Sequence, residues 1–494
     1  MQEIGFSSEK YKTLQSQHIK DRISRFGGKL YLEFGGKLFD DYHASRVLPG
    51  FEPDSKVKML LEMKDEAEIV IAISADDIER SKRRGDLGIT YDAETLRLID
   101  AFRGIGLYVG SVVITHYRGQ KAADQFRSRL EALGIRCYRH YIIPEYPSNV
   151  ELIISEDGFG KNDYIETSRP LVVVTAPGPG SGKMATCLSQ LYHEHKHGVS
   201  AGYAKFESFP VWNLPLKHPV NLAYEAATAD LQDVNMIDPF HLDAYGVTTV
   251  NYNRDVEIFP VLEAMFRQIY GESPYKSPTD MGVNQIGNCI VNDEVCCEAS
   301  RQEIIRRYYT TACNVLQGLS VPSELQKIEL IMKSIHLTAQ DRPVVAAALS
   351  RAEETGAPAV AIELKDGRII TGKTTDLLGA ASACLLNAMK EITGIPKRTK
   401  LIPKNIIEPI QHLKVEHLGN KNPRLHTDEL LIALSACAVT NPVAEEAIDA
   451  LSELRGCEAH SSVILSHSDA ELFKRIGVNI TYEPRYQTEK LYHV

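Results

Sequence analysis

Apolar residues in the first half of the chain fall into short runs, separated by stretches with helical spacing. EIVIAISADD (68–77) reads as a buried strand, SVVITHY (111–117) as a second, RCYRHYII (136–143) as a third and PLVVVTAP (170–177) as a fourth. Between them AETLRLIDAF (93–102) is helical, and Phe126, Leu130 and Leu133 share one face of another helix. Strands alternating with amphipathic helices predict βαβ units and a mostly parallel sheet. Nearer the start, Leu30, Leu32 and Phe34 alternate as one strand inside a repeated GGKL (27–30 and 35–38), whose glycines predict a hairpin turn.

From about residue 250 the spacing turns helical, as in Leu262, Met265, Phe266 and Ile269, then Ile304, Ile305, Tyr308, Tyr309 and Ala312, with a further helix over 322–336. The alternating texture returns near 340, with a helix at 342–354, strands at 358–364 and 368–372, a helix at 377–393 and a last strand–helix series over 427–482. The expected fold class is therefore multidomain α/β. A P-loop-like α/β domain covers 1–250, a helical segment 251–335 and a smaller α/β domain 336–494. A chain of 494 residues fits about three domains.

The most informative segment is LVVVTAPGPGSGKMATCLSQLY (171–192). An apolar strand enters a loop holding Gly178, Gly180, Ser181 and Gly182; Lys183 follows, and Met184, Cys187, Leu188 and Leu191 keep helical spacing. In such a loop the backbone N–H groups and the helix N-terminus converge on an anion, and the lysine adds a point charge. P-loop proteins hold nucleotide phosphates this way. The spacing departs from theirs, because Pro177 stands where the first glycine belongs and Met184 where a Mg²⁺-binding hydroxyl belongs. Thr186 lies about 200° further round the helix and does not substitute; Ser181 is the nearer hydroxyl. The run TAPGPGSGK (175–183) also resembles the loop of formyltetrahydrofolate synthetases, a P-loop variant.

Other polar sets compete. Asp238 in VNMIDPFHLD (234–243) is the candidate Mg²⁺ acid and Asp243 a second, although a helix cap before Pro239 explains Asp238 equally well. Lys205 and Glu207 alternate along a strand and would line a site from one side. Lys37, Asp40, Asp41, His43 and Arg46 could hold a phosphorylated or carboxylated substrate, or form a solvated loop with ordinary ion pairs. Tyr275, Lys276, Asp280 and Asn284 form a weaker set of the same kind. HEHKH (193–197) matches H-E-x-x-H, which would make His193 and His197 zinc ligands and Glu194 a base. Its place in the last turn before Gly198 is equally what the helix dipole favours for basic side chains.

With 55 basic and 65 acidic residues the net charge is −10, and no basic block is present, which argues against nucleic acid or an anionic membrane as partner. No apolar run reaches the roughly 18 residues of a transmembrane helix, and the N-terminus has no apolar signal-peptide core. Nine scattered cysteines without a C-x-x-C pair read as reduced thiols, so a cytoplasmic location is expected. The helical segment is a candidate self-association surface for a homo-oligomer.

The segments EFGGKLFDDYHASRVLPGF, TAPGPGSGKMATCLSQLYHEHK, KFESFPVWNLPLKHPVN and DPFHLDAYG together resemble uncharacterised protein family zero-three-seven-one, a bacterial family of unknown function, over the whole chain. The resemblance implies a cytoplasmic multidomain α/β protein and carries no established activity. Residues 365–391 and 431–451 are similar to the strand and helix order of cytidine deaminases. Ala380, Ala381, Ser382 and a lone Cys437 stand where a zinc deaminase needs its H-x-E and P-C-x-x-C ligands, so a zinc site is not expected there.

The leading functional expectation is a nucleotide-dependent enzyme for phosphoryl transfer or ATP-driven ligation on a small anionic metabolite. Gly178, Gly180, Ser181, Gly182 and Lys183 would cradle ATP or another nucleotide, and Asp238 would hold Mg²⁺. Lys183, Lys205 and Asp243 would be catalytic, with substrate held by Lys37, Asp41, His43 and Arg46. The alternatives are a non-catalytic sensor of a phosphorylated ligand, favoured by Met184, and a zinc metallopeptidase using HEHKH.

Overall fold

The computed structural model describes residues 3–36, 38–39, 41–84 and 88–488; Lys37 and Asp40 of the N-terminal polar set lie outside the described residues. The chain divides into two compact units, one built from Ile4–Glu225 and Gln232–Ser300, the other from Met1–Glu3, Ala226–Leu231 and Arg301–Val494. The helical segment expected over 251–335 is thus shared, its first part belonging with one unit and its last part with the other.

The first unit is organised by six parallel strands, β1 (Leu30–Phe34), β2 (Ala67–Ser74), β3 (Tyr108–Tyr117), β4 (Arg136–Tyr141), β5 (Leu171–Thr175) and β6 (Gly202–Phe206), in the order β4-β3-β2-β5-β1-β6. β1, β2 and β5 are buried at every position, which is why they are written as near-continuous apolar runs. β1 pairs in parallel with both β5 and β6, so the GGKL repeat does not form the expected hairpin. Its glycines serve other ends. Gly27 and Gly28 take positive φ just past the helix Ser8–Arg25, and a Cβ at Gly35 would stand 2.6 Å from the Glu207 side chain.

Because β2, β3 and β4 step across the sheet in one direction and β5 to β6 in the other, right-handed crossovers put the two series of helices on opposite faces. The helix Lys183–Lys196 packs on β1, β5 and β6, and the helix Asn253–Tyr270 packs against it. Between them Tyr31, Val172, Val174, Cys187, Leu188, Leu191, Phe259 and Phe266 form a continuous core. A short antiparallel pair, β7 (Asn235–Ile237) and β8 (Val250–Tyr252), lies outside the large sheet.

The second unit carries a mixed sheet of β9 (Ala359–Glu363), β10 (Ile369–Lys373), β11 (Glu458–Ser461) and β12 (Asn479–Tyr482), ordered β10-β9-β11-β12. β9 is antiparallel to both neighbours, and β11 runs parallel to β12. The helix Ala380–Ile392 covers it with Ala381, Cys384, Leu385 and Ala388. Arg342 is fully buried here, paired with Glu458 and donating to the carbonyls of Ala459 (3.0 Å) and Asn479 (2.7 Å). Glu458 also takes the Arg306 guanidinium at 2.8 Å, and these two arginines hold its carboxyl below the usual range although burial alone would raise it.

Breaking a buried pair by removing one partner leaves the other charge uncompensated. Glu458→Ala is therefore expected to destabilise the second unit by about 3 kcal/mol. Urea unfolding of the full chain measures it, and a change under about 1 kcal/mol would show that Arg342 is held by its carbonyl contacts alone.

Candidate functional site at the carboxyl edge of the parallel sheet

In a parallel sheet every strand ends at the same edge, so the loops after β1, β5 and β6 open side by side. Connections leave β2 and β5 in opposite directions, which makes the gap between their carboxyl ends the crevice where open α/β sheets bind ligands. The glycine loop, residues 176–182, lies at that point. It is fastened to β3 by the Thr115 hydroxyl, which donates to the Ser181 carbonyl at 2.8 Å. Gly178 passes so close to Tyr91 that a Cβ would meet the phenol oxygen at 2.2 Å, and Gly182 takes φ +80° with Thr115 only 3.1 Å from where its Cβ would be. Both positions need glycine on these grounds.

Gly182 stands at the N-cap of the Lys183–Lys196 helix, and no side chain caps that end. Lys183, half-buried in the first turn, makes no ion pair or side-chain hydrogen bond among the described residues. The hydroxyls nearby are turned inward: Ser181 Oγ donates to the Gly178 carbonyl at 2.9 Å and Thr186 Oγ1 to the Gly182 carbonyl at 2.9 Å. The strand end beside the loop holds His116, which takes φ +51°, with Nδ1 3.2 Å from Ser74 Oγ. A non-glycine residue held in that region costs energy that its surroundings must offset.

On the other flank Glu33 and Lys205 are register partners on β1 and β6. The Lys205 ammonium lies 2.6 Å from both oxygens of Asp255 and 3.2 Å from Glu207. Glu33 accepts from the Tyr203 hydroxyl at 2.5 Å. Burial alone would lower the Lys205 pKa, but Asp255, Glu207 and Glu33 hold it well above its ordinary value. Burial, with Asp255 and Glu33 as like charges, pushes the Glu207 carboxyl up to about 7 against the pull of Lys205. Cys187, one turn into the glycine-loop helix, is fully buried, and burial pushes its thiol well above its ordinary value.

The cleft at Lys205 and Glu207, walled by Trp212 and Asn284, has about 50 Å³ of free volume. That is room for a water or a small ion, not for a nucleotide. A larger cleft of about 310 Å³ lies at the far end of the glycine-loop helix, between Ile154, Tyr192, Lys196 and Ile269, away from the strand ends that carry the polar residues.

The remaining polar sets have structural partners. Asp41 caps the helix Tyr42–Val47 through the Ala44 N–H and pairs with buried Lys56 at 2.6 Å; burial would raise its pKa, but Lys56 holds it below the usual range. His43 rests against Phe209 (5.5 Å) and Tyr224 (5.3 Å), which brings the N-terminal loop to the wall of the Lys205 cleft, and Arg46 lies in the last turn of the same short helix. Asp238 is fully buried as the N-cap of the helix Pro239–Tyr245. One oxygen accepts from Phe240 and His241, the other from the Thr279 N–H and hydroxyl, so its lone pairs face the cap and not a cation. Asp243 is exposed on that helix. Asp280 braces its own loop by accepting from the Lys276 N–H, and Asn284 ties that loop to the segment after β6 by donating to the Ser208 carbonyl.

HEHKH sits at the amino edge of the sheet. Glu194 is buried against Lys29 and accepts from the Tyr31 hydroxyl at 2.6 Å, which commits the supposed base. His197 stacks on Tyr164 at 4.6 Å with Nδ1 against its own helix. Sequence reasoning did not single out Glu33, Asp255, Tyr91, Thr115 or His116. Of these only Glu33, a lone acid in an apolar strand, left a signal; Asp255 reaches Lys205 from a helix fifty residues away.

An open parallel α/β sheet with a glycine loop at its switch point and a buried charge cluster beside it defines the class of protein. Residues 4–336 match the N-terminal domain of unknown function DUF1846 and residues 340–492 its C-terminal domain, so the chain belongs to that family. It is 59% identical over 492 residues to the UPF0371 protein str1377 of Streptococcus thermophilus (strain CNRZ 1066), covering 100% of each chain. It is 58% identical, with the same coverage, to a UPF0371 protein of Streptococcus pneumoniae (strain JJA). The family resemblance read from the sequence is thereby established. Among the described residues no helix is long and apolar enough to cross a membrane.

A carboxyl with a folded pKa above its unfolded one binds its proton more tightly when folded. The Glu207 contribution is thus greatest below about 4.5 and is lost as pH rises through about 7. Glu207→Gln removes one of three carboxylates around a single ammonium while Lys205 keeps both Asp255 oxygens. The variant is expected to be more stable than wild type by about 1–3 kcal/mol at pH 8 and to lose the falling slope between those pH values. Thermal unfolding at pH 5, 6, 7 and 8 reads both effects, and identical pH profiles would show that Glu207 stays ionised.

Proposed function

We propose that this protein is a cytoplasmic enzyme that binds a nucleotide or another phosphorylated small molecule at the glycine loop and transfers or activates its phosphoryl group. The observation that carries the reading is an uncapped helix N-terminus with Lys183 unpaired among the described residues, approached by glycine backbone at the switch point of a parallel sheet. Lys183 would offset charge on the phosphates. Glu207, with its pKa near neutrality, supports a role in moving a proton to or from the acceptor substrate, with Lys205 positioning it. Nine free cysteines favour a reducing compartment. Mg²⁺, if used, would be carried by the nucleotide or by water, since Asp238 is committed to its cap.

A sensor that binds the phosphorylated ligand without turning it over is the second reading, favoured by Met184 in place of a hydroxyl and by the inward-turned Ser181 and Thr186. Thermal unfolding of wild type and Lys183→Ala with ATP, GTP and inorganic phosphate, each with and without Mg²⁺, tests both. A ligand at 100 times its Kd is expected to add about 2.7 kcal/mol, visible as a shift of a few degrees in wild type and absent in the variant. Dependence of the shift on Mg²⁺ favours the enzyme, independence favours the sensor, and no shift with any phosphate compound would make the loop a structural turn.

A further inference from the structure

Away from the glycine loop, three side chains with unlike donor atoms meet in the first unit. His218 directly precedes the helix Pro219–Ala227 and is 8% exposed. Asp293 and Cys297 lie four residues apart at the start of the helix Asp293–Leu316, a spacing that puts both on one face toward His218. The distances are 3.0 Å from His218 Nε2 to Asp293 Oδ1, 3.5 Å from Nε2 to Cys297 Sγ and 3.7 Å from Sγ to Asp293 Oδ2. Zinc bonds of about 2.0 Å to nitrogen and oxygen and about 2.3 Å to sulfur, set tetrahedrally, require ligand atoms roughly 3.3–3.6 Å apart. Among the described residues this is the one group of three or more His, Cys, Asp or Glu side chains with donors gathered closely enough to hold an ion.

We infer that His218, Asp293 and Cys297 form a binding site for a borderline transition-metal ion of the zinc class. One imidazole nitrogen, one carboxylate oxygen and one thiolate select zinc, cobalt or ferrous iron over magnesium and calcium, which take oxygen ligands. The ion replaces the Cys297 thiol proton, which passes to solvent. It also takes the Nε2 lone pair of His218, so the ring proton moves to Nδ1. The contact this gives up is a single long one, 3.3 Å from the Val220 N–H at a helix start. Three protein ligands leave the fourth tetrahedral position open, and Asp293, with 58% of its side chain exposed, puts that position at the solvent. A site with an open position is of the kind that activates water or binds an exchangeable ligand, not a closed structural cross-link.

The test uses the full chain, stripped with chelator, reduced, and titrated with Co²⁺ as an optical stand-in for zinc. The expected result is one ion retained per chain after desalting, with a thiolate-to-cobalt charge-transfer band that Zn²⁺ displaces. Cys297→Ser, close to isosteric, should abolish that band, while Cys437→Ser leaves it intact. Asp293→Asn should weaken retention about tenfold or more. Its largely exposed side chain makes it the variant to rely on if Cys297→Ser does not fold, as judged by its metal-free unfolding. Failure to retain an ion, a band that survives Cys297→Ser, or Asp293→Asn binding as tightly as wild type overturns the assignment.

Discussion

Everything at the candidate site depends on one constraint, that the six strands of the large sheet all run the same way. Each strand must be followed by a return over a face, so each opens its following loop at a single edge. Gly35, the glycine loop and Glu207 come from positions far apart in the chain, yet they follow β1, β5 and β6, which are neighbours. No long-range contact is needed to bring them together beyond the pairing of the strands. The polar side chains of β1 fix its register, since a one-residue slip would carry Glu33 and Tyr31 to the opposite face, away from Tyr203 and Glu194, and break the alignment of Glu33 with Lys205.

That alignment puts charge into the core. Lys205 is surrounded by Asp255, Glu207 and Glu33, and a single ammonium cannot offset three carboxylates. The remainder is met by the Tyr203 hydroxyl on Glu33 and by partial neutralisation of Glu207. An arrangement chosen for stability alone would replace such a cluster with apolar side chains. The second unit solves a similar problem more completely, because Arg342 and Arg306 converge on Glu458 and the Arg342 fork also finds two main-chain carbonyls.

The sheet was legible because fully buried parallel strands are written as unbroken apolar runs, and the glycine loop because strand, glycines, lysine and amphipathic helix stand in one continuous segment. The pairing of β1 was not legible. A glycine pair before or after a strand looks alike whether it turns a hairpin, ends a helix as Gly27 and Gly28 do, or makes room for a neighbour as Gly35 does for Glu207. Asp238 before Pro239 reads equally as a strand-end acid and as a cap; what commits its second oxygen is Thr279, forty-one residues on. Lys205 and Glu207 were visible as an alternating pair, but the carboxylate that perturbs them most, Asp255, arrives from another element.

The edge formed by β5, β1 and β6 is not uniform along its length. At the β5 end stand backbone N–H groups, a helix N-terminus and Lys183; two strands away, at β6, the balance of charge is negative. Adjacent strands are about 4.8 Å apart, so the sign changes over roughly 10 Å, close to the length of a small metabolite. Such an edge has a direction built into it. A molecule lying along it would have its two ends told apart by the field alone, before any shape was matched.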